Sequence, residues 1–316
     1  MKQRSVGKSG LQVSLIGLGC NNFGGRIDLE ASRKVVNKAL DLGVTLFDTA
    51  DMYGNYGGSE TILGQIFGAR RKDIVLATKF GMKMNDAGTL QGASRRYIMA
   101  EVEESLRRLQ TDWIDLYQLH TPDPLTPIEE TLRALDDLVR QGKVRYIGCS
   151  NLRSWQVVEA QWTAKQLNIN AFISCQDEYS LVVRDIERES IPAIEAYNLG
   201  LLPYFPLASG LLTGKYRRNK PVPEGTRFQS WQKLGERYMN DANWQIVERL
   251  DDFATKRGHS LLELAVSWLI AKPIVSSVIA GATKPEQVEQ NVKAGDWSLT
   301  AEDLAEIDRL SAKAMA

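Results

Sequence analysis

The chain of 316 residues carries 39 Lys and Arg against 39 Asp and Glu, a formal net charge of zero. That balance excludes a protein that tracks nucleic-acid phosphates, which needs a surplus of basic side chains for most of its non-specific affinity. The most apolar stretch, residues 261–271, is interrupted by Glu263 and Ser267 and falls short of the ~20 apolar residues of a membrane span.

The N-terminus, Met1-Lys2-Gln3-Arg4-Ser5, runs into glycine and polar residues rather than the apolar core of a secretory signal, which points to a cytoplasmic protein. Residues 7–13 read as a hairpin in front of the first strand, capping the bottom of a barrel. From Ser14-Leu15-Ile16-Gly17 onward a short apolar run followed by a helical pattern recurs. Further runs are Thr45–Phe47, Ile74–Ala77, Ile114–Tyr117, Val144–Ile147, Phe172–Ser174, Leu201–Tyr204 and Ser277–Ile279. Most are spaced by about 30 to 40 residues, the length of a βα unit. The clearest helix starts at Thr126-Pro127-Ile128-Glu129, with an N-cap Thr, Pro at the first helical position and Glu to complete a capping box. Ile128, Leu132, Leu135 and Val139 share one of its faces and Gly142 stops it. A long connection from Pro206 to about Asn240, with Phe228, Trp231 and Tyr238, follows the seventh strand, and loops of that length are usually functional. A last helix after Thr300 carries Leu304, Ile307 and Leu310. Eight strands alternating with helices predict an α/β fold with a parallel sheet. The count favours a closed (β/α)8 TIM barrel over an open doubly wound sheet, as one domain spanning residues 1–316.

The first strand leads into Gly17-Leu18-Gly19-Cys20-Asn21-Asn22, which begins like the dinucleotide fingerprint GxGxxG but has Asn22 in place of the third glycine. The two glycines therefore read first as small residues at the barrel mouth. Barrel chemistry sits at the C-terminal ends of the strands. Asp48 ends the second strand with Tyr53 in the loop beyond it, Lys79 ends the third, and His120 ends the fourth. Singly, each has a plain structural use as a helix cap, a solvated cation or a satisfied imidazole. Together they form a proton-transfer set. A Tyr hydroxyl has an ordinary pKa of about 10. An ammonium beside it pulls that value down, and a carboxylate keeps the ammonium charged and oriented. His120 then polarises a carbonyl oxygen within reach of the Tyr proton. Such a set suits protonation of an oxygen whose carbon receives a hydride. Cys20, Cys149 and Cys175 are odd in number with no CxxC spacing, and two histidines make no His-rich site, so neither disulfide nor metal is expected. The thiols read as buried small hydrophobes and His259 as solvent-facing.

These residues resemble the aldo-keto reductases, (β/α)8-barrel NAD(P)H-dependent oxidoreductases. The likeness runs over nearly the whole chain, through Gly17-Leu18-Gly19, Phe47-Asp48-Thr49-Ala50, Tyr53-Gly54, Ser59-Glu60, Leu63-Gly64, Gly281-Ala282 and Asn291. It implies a catalytic tetrad of Asp48, Tyr53, Lys79 and His120. It also implies that Ser150, Asn151 and Gln176 hold the nicotinamide carboxamide while Tyr204 stacks on the ring and fixes the face from which hydride leaves. Phe205, Pro206, Leu207, Ala208, Ser209, Gly210 and Lys215 match the pyrophosphate loop, whose small residues admit backbone N–H groups to phosphate oxygens. Residues 279–291 run from a strand end into a helix N-terminus, an anion site on physical grounds. In the family, the matching positions Gly281, Thr283, Lys284, Gln287, Gln290 and Asn291 bind the adenosine half and its 2′-phosphate. Cys20, Asn21, Arg26, Asp48 and Arg227 complete the implied cofactor set. Many members place Arg near the 2′-phosphate; this chain offers Lys284 as a point charge, and NADP(H) is expected over NAD(H). Lys215, Arg227 and Lys284 form the expected local cationic cluster.

Phe23, Met52, Phe80 and Trp231 are expected to line the substrate pocket. The resulting expectation is a cytoplasmic NADPH-dependent reductase of aldehydes or ketones, a monomer or homo-oligomer with a small carbonyl substrate and neither nucleic-acid nor membrane partner. The family also contains β-subunits of voltage-gated potassium channels, which bind NADP and act mainly as partners, and Phe23-Gly24-Gly25-Arg26-Ile27 resembles them. Those subunits carry Asn where this chain has His120, which favours the reductase. A barrel lyase or isomerase using Lys79 as a Schiff base is disfavoured by the carboxylate of Asp48, which opposes a neutral amine.

Overall fold

The computed structural model describes residues 1–312. Two short strands, β1 (Gln3–Ser5) and β2 (Gln12–Ser14), pair antiparallel with Gln3 opposite Ser14. The hairpin thus starts earlier than residue 7, and residues 7–13 supply its turn and most of its second strand. Eight parallel strands follow: β3 (Ile16–Gly19), β4 (Leu46–Asp48), β5 (Val75–Phe80), β6 (Ile114–Leu119), β7 (Val144–Ser150), β8 (Ser174–Gln176), β9 (Gly200–Leu201) and β10 (Val278–Gly281). From β3 to β8 each strand pairs with its successor, and β10 pairs with β3. The ring closes beside β9, where Leu201 N donates to Ile274 O and Ser276 N donates to Leu201 O, both at 2.9 Å. This is the (β/α)8 barrel.

The helices α1 (Leu29–Asp41), α2 (Tyr53–Phe67), α3 (Arg95–Leu109), α4 (Ile128–Arg140), α5 (Ser154–Leu167) and α6 (Ser190–Ala196) follow successive strands. The connection after β9 folds into α7 (Arg227–Ser230), α8 (Gln232–Tyr238), α9 (Asp241–Lys256) and α10 (Leu261–Ile270), so the long loop is partly helical from Arg227. After β10 come α11 (Pro285–Lys293) and α12 (Ala301–Ser311), which packs on α9. The capping box expected at Thr126 does not form. Pro127 is the N-cap of α4, Thr126 Oγ1 donates instead to Asp123 Oδ2 at 2.8 Å, and Glu129 pairs with Arg133. Boxes do form at Ser260 with Glu263 and at Thr300 with Asp303. Among the described residues no helix is long and apolar enough to cross a membrane, and no group of three His, Cys, Asp or Glu side chains is arranged to hold a metal ion.

Strand periodicity of two decides what faces the barrel axis. At the bottom the inward residues Leu46, Ala77, Leu116, Leu202 and Ile279 form an apolar layer, plugged from below by Val6 and Val13 of the hairpin. A Cβ at Gly17 would lie 3.0 Å from both Leu46 Cδ2 and Ser277 Oγ, and one at Gly19 would lie 3.0 Å from Ile279 Cγ2. The two glycines therefore serve barrel packing. The larger core lies outside the barrel, between strands and helices.

Candidate active site

Two residues above the apolar layer on β4, β5 and β6, the inward side chains become polar: Leu46 gives way to Asp48, Ala77 to Lys79 and Leu116 to Gln118. Lys79 is fully buried, and its Nζ donates to Asp48 Oδ2 at 2.6 Å and to Thr49 O at 2.7 Å. Asp48 Oδ1 accepts from Gln176 Nε2 at 2.8 Å and from Gln118 Nε2 at 3.3 Å. Burial acts to lower the Lys79 pKa, but the charge of Asp48 and the neighbouring Tyr53 outweigh it, and the net shift is upward. Lys79 is therefore held as an ammonium, which leaves no neutral amine for Schiff-base chemistry.

Tyr53 stands at the start of α2, followed by Gly54, Asn55, Tyr56 and Gly57, all with left-handed φ between 61° and 99°. Glycine is required at 54, since a Cβ there would sit 2.4 Å from Phe23 O. This turn leaves the half-buried Tyr53 ring 5.0 Å from Lys79 Nζ and 5.6 Å from the His120 ring, nearly perpendicular to it. Burial raises the pKa of the Tyr53 hydroxyl; Lys79 opposes that and Asp48 reinforces it. The net shift is upward, contrary to the expectation that the ammonium would lower it, because burial outweighs the ammonium and the carboxylate behind it works against it. The phenol is thus protonated at neutral pH, the state of a proton donor. Burial, then Lys79, push the His120 pKa well below the ordinary value, so the imidazole is neutral. Its Nδ1 is buried with no hydrogen-bond partner among the described residues.

Beside this cluster stands a hydrogen-bonded wall organised by Asn151, itself in the left-handed region at φ 61°. Asn151 Nδ2 donates to His120 O at 3.0 Å and to Ser150 Oγ at 2.9 Å, while its Oδ1 accepts from the Tyr204 hydroxyl at 2.8 Å. Ser150 Oγ donates to Gln176 O at 2.7 Å. Asn151 N donates to Asp177 Oδ1 at 3.1 Å. Ser150, Asn151, Gln176 and Tyr204, distant in sequence, are thereby one unit.

A cavity of about 770 Å³ opens over the whole. Tyr53, His120, Met82 and Thr121 line one part of it, and the loop from Phe205 to Gly210, Arg26, Lys215, Arg227 and the start of α11 line another. Every residue of the sequence-derived cofactor set lines this cavity except Ala208, which is fully buried beneath the loop. Phe205, Ala208 and Ser209 have left-handed φ of 49°, 46° and 55°, a concentration of backbone strain that belongs at binding loops. Arg26, Lys215 and Arg227 pair with no carboxylate among the described residues. Arg227 donates to Asn22 Oδ1 at 2.9 Å, a neutral partner. Burial and the neighbouring Arg227 and Arg26 lower the Lys215 pKa; burial and Arg26 lower that of Arg227. Arg26, rather than Lys284, completes this cluster. Lys284 lines the same cavity as the exposed N-cap of α11, and Thr283 N and Oγ1 both donate to Gln287 Oε1, at 2.7 and 3.2 Å.

The substrate residues fare differently. Trp231 lines the cavity and is 58% exposed. Phe23 and Phe80 are fully buried and Met52 is half-buried, and none of the three lines it. Phe80 alternates with the inward Lys79, so it points outward, where it packs on Tyr117 at 4.7 Å between ring centres. The lining adds Met82, Thr121 and Asn22, and the support of Asp48 adds Gln118. Gln118 was detectable from its spacing of two from His120.

The sequence model of the Aldo/keto reductase family matches residues 15–312. The chain belongs to the aldo/keto reductase family, a family of oxidoreductases. It is 38% identical to a probable voltage-gated potassium channel subunit beta of Oryza sativa subsp. japonica, over 94% of this chain and 92% of that protein. Identity to the uncharacterized oxidoreductase YrpG of Bacillus subtilis (strain 168) is 36%, over 96% and 94%. With the L-glyceraldehyde 3-phosphate reductase of Escherichia coli (strain K12) it is 33%, over 98% and 92%.

Proposed function

We propose that this protein reduces aldehydes or ketones to alcohols with NADPH. The observation that carries the reading is the buried Lys79–Asp48 pair against a half-buried Tyr53, in one cavity with Arg26, Lys215 and Arg227, which pair with no carboxylate among the described residues. A dinucleotide fits the residues present. Arg26, Lys215 and Arg227 repel one another without a counter-ion, and a diphosphate would relieve that repulsion. Ser150, Asn151 and Gln176 would hold the carboxamide, Tyr204 would stack on the nicotinamide, and Thr283, Lys284, Gln287, Gln290 and Asn291 would take the adenosine half. The bound cofactor supplies a hydride for the carbonyl carbon.

The chain's own residues then handle the proton. Neutral His120 orients the carbonyl oxygen towards Tyr53, whose phenolic O–H bond breaks as the proton passes to that oxygen. The phenolate left behind is stabilised by the Lys79 ammonium, which Asp48 keeps charged, and solvent returns the proton. Gln176 and Gln118 fix the Asp48 carboxylate. A second reading, an NADP-binding regulatory subunit with little turnover, draws on the relatives named for potassium channel subunits. His120 beside Tyr53 favours the enzyme. The test is NADPH and NADH consumption against a panel of aldehydes and ketones. The reductase reading expects turnover with at least one carbonyl and faster use of NADPH; no rate above that of a Tyr53→Phe control would favour the regulatory subunit.

A further inference from the structure

Charge divides the barrel mouth into two arcs. The cations of the cavity lining, Arg26, Lys215, Arg227 and Lys284, all come from connections that follow β3, β9 and β10, which are neighbours in the closed ring. The connections after β4, β5 and β6 carry Tyr53, Met82, His120 and Thr121 into the cavity, and no cation. Lys79, the ammonium beneath this arc, is fully buried and already paired with Asp48. Other charged groups of these connections are engaged or turned away. Asp86 accepts from the Tyr56 hydroxyl, Asp123 accepts from Ala93 N, Leu125 N and Thr126 Oγ1, and exposed Lys83 does not line the cavity.

Trp231 adds an apolar surface. The interior of its own segment is filled without it, by Phe228 stacked against Tyr216 at 4.6 Å and Tyr238 at 6.1 Å between ring centres. The indole is left at the rim, more than half exposed, while Met82 is half-buried in the lining. An anionic group brought to the Tyr53–His120 arc would lose hydration, meet no free cation and approach the carboxylate of Asp48. An apolar body there would gain by covering Met82 and, where it extends across the cavity towards the connection after β9, Trp231.

We infer that the substrates are uncharged carbonyl compounds with an apolar body, that phosphorylated or carboxylate-bearing aldehydes are discriminated against, and that Met82 and Trp231 set this preference. The inference rests on the reading of Tyr53 and His120 as the carbonyl end of the cavity. It separates this chain from its Escherichia coli relative named for a phosphorylated aldehyde.

The test compares kcat/KM of the full-length protein with NADPH in two matched pairs, benzaldehyde against 4-carboxybenzaldehyde and glyceraldehyde against glyceraldehyde 3-phosphate. In each pair the charged member is expected to be about ten-fold poorer or worse, through a raised KM, as befits an unpaired charge in a partly dehydrated site. Met82→Lys is expected to move the benzaldehyde ratio towards the carboxylate by about ten-fold. Trp231→Ala is expected to weaken benzaldehyde more than glyceraldehyde. Equal or better use of the charged members by the parent protein would overturn the inference, and that comparison needs no variant to fold. A ratio unmoved in folded Met82→Lys protein would also count against it. If no carbonyl is reduced above the Tyr53→Phe background, the reductase reading itself falls, a result distinct from a wrong preference.

Discussion

Asp177 follows Gln176 at the end of β8 and accepts the N–H of Asn151, in surroundings where burial pushes its pKa up to about 6 against the opposing effect of that hydrogen bond. Its ordinary value is 3.8. A carboxyl raised on folding is penalised in its charged form, so the contribution to stability is full below the ordinary value and lost as pH climbs through about 6. The rise from 3.8 to about 6 corresponds to about 3 kcal/mol at neutral pH. Asp177→Asn keeps an acceptor for Asn151 and removes the charge. Its Tm at pH 8 should exceed the parent's by several degrees, with the difference shrinking towards pH 4; a difference independent of pH would contradict the assignment. No motif marks Asp177, because its environment is made by a left-handed Asn151 that arrives from another strand. Phe80 was legible in principle: strand alternation with the inward Lys79 sends it outward, while its aromatic character alone suggested the pocket. Asp48, Lys79 and His120 were readable because each sits at or next to a strand end, where the barrel's geometry leaves one destination for the side chain; Tyr53 lies further on, in the turn that opens α2.

At the scale of elements, the strands were legible because each is a short apolar run: all eight overlap the expected runs, although β8 and β9 share only Ser174 and Leu201 with theirs. The ends of elements were less so. Thr126 and Glu129 had the right spacing for a capping box, yet Asp123 draws the Thr126 hydroxyl into the preceding turn and Arg133 takes Glu129. The segment after β9 reads as loop from its glycines and prolines, but beyond Arg227 its Phe228, Leu234 and Tyr238 are buried at helical spacing. This element and α11 make separable predictions about cofactor binding. Arg227→Ala should weaken NADPH and NADH alike, by about ten-fold or more for one charge-assisted contact, because the diphosphate is common to both. Lys284→Ala should weaken NADPH more than NADH, because only NADPH carries the 2′-phosphate. Equilibrium titration with both reduced cofactors reads the difference; equal losses for Lys284→Ala would remove it from that role.

Over the whole molecule, the parallel ring makes the candidate active site by bringing residues from remote parts of the chain to one end. Asp48, Lys79, Gln118 and Gln176 come from four strands and meet in one hydrogen-bonded cluster. The ring also sorts the mouth, with cations after β9, β10 and β3 and the proposed proton-transfer groups Tyr53 and His120 after β4 and β6. A composition with no net charge carries no hint of that division, which arises only when the sheet closes and makes the first and last strands neighbours. It fits an elongated ligand with an anionic middle at one arc and a reacting end at the other. The central claim is that Tyr53 gives the proton at that end. The most direct test is the rate of NADPH oxidation by Tyr53→Phe with an activated aldehyde such as 4-nitrobenzaldehyde, measured beside NADPH affinity. Turnover should fall by about a thousand-fold with NADPH affinity near the parent's. Oxidation of NADPH at the parent rate by the folded variant would contradict the account.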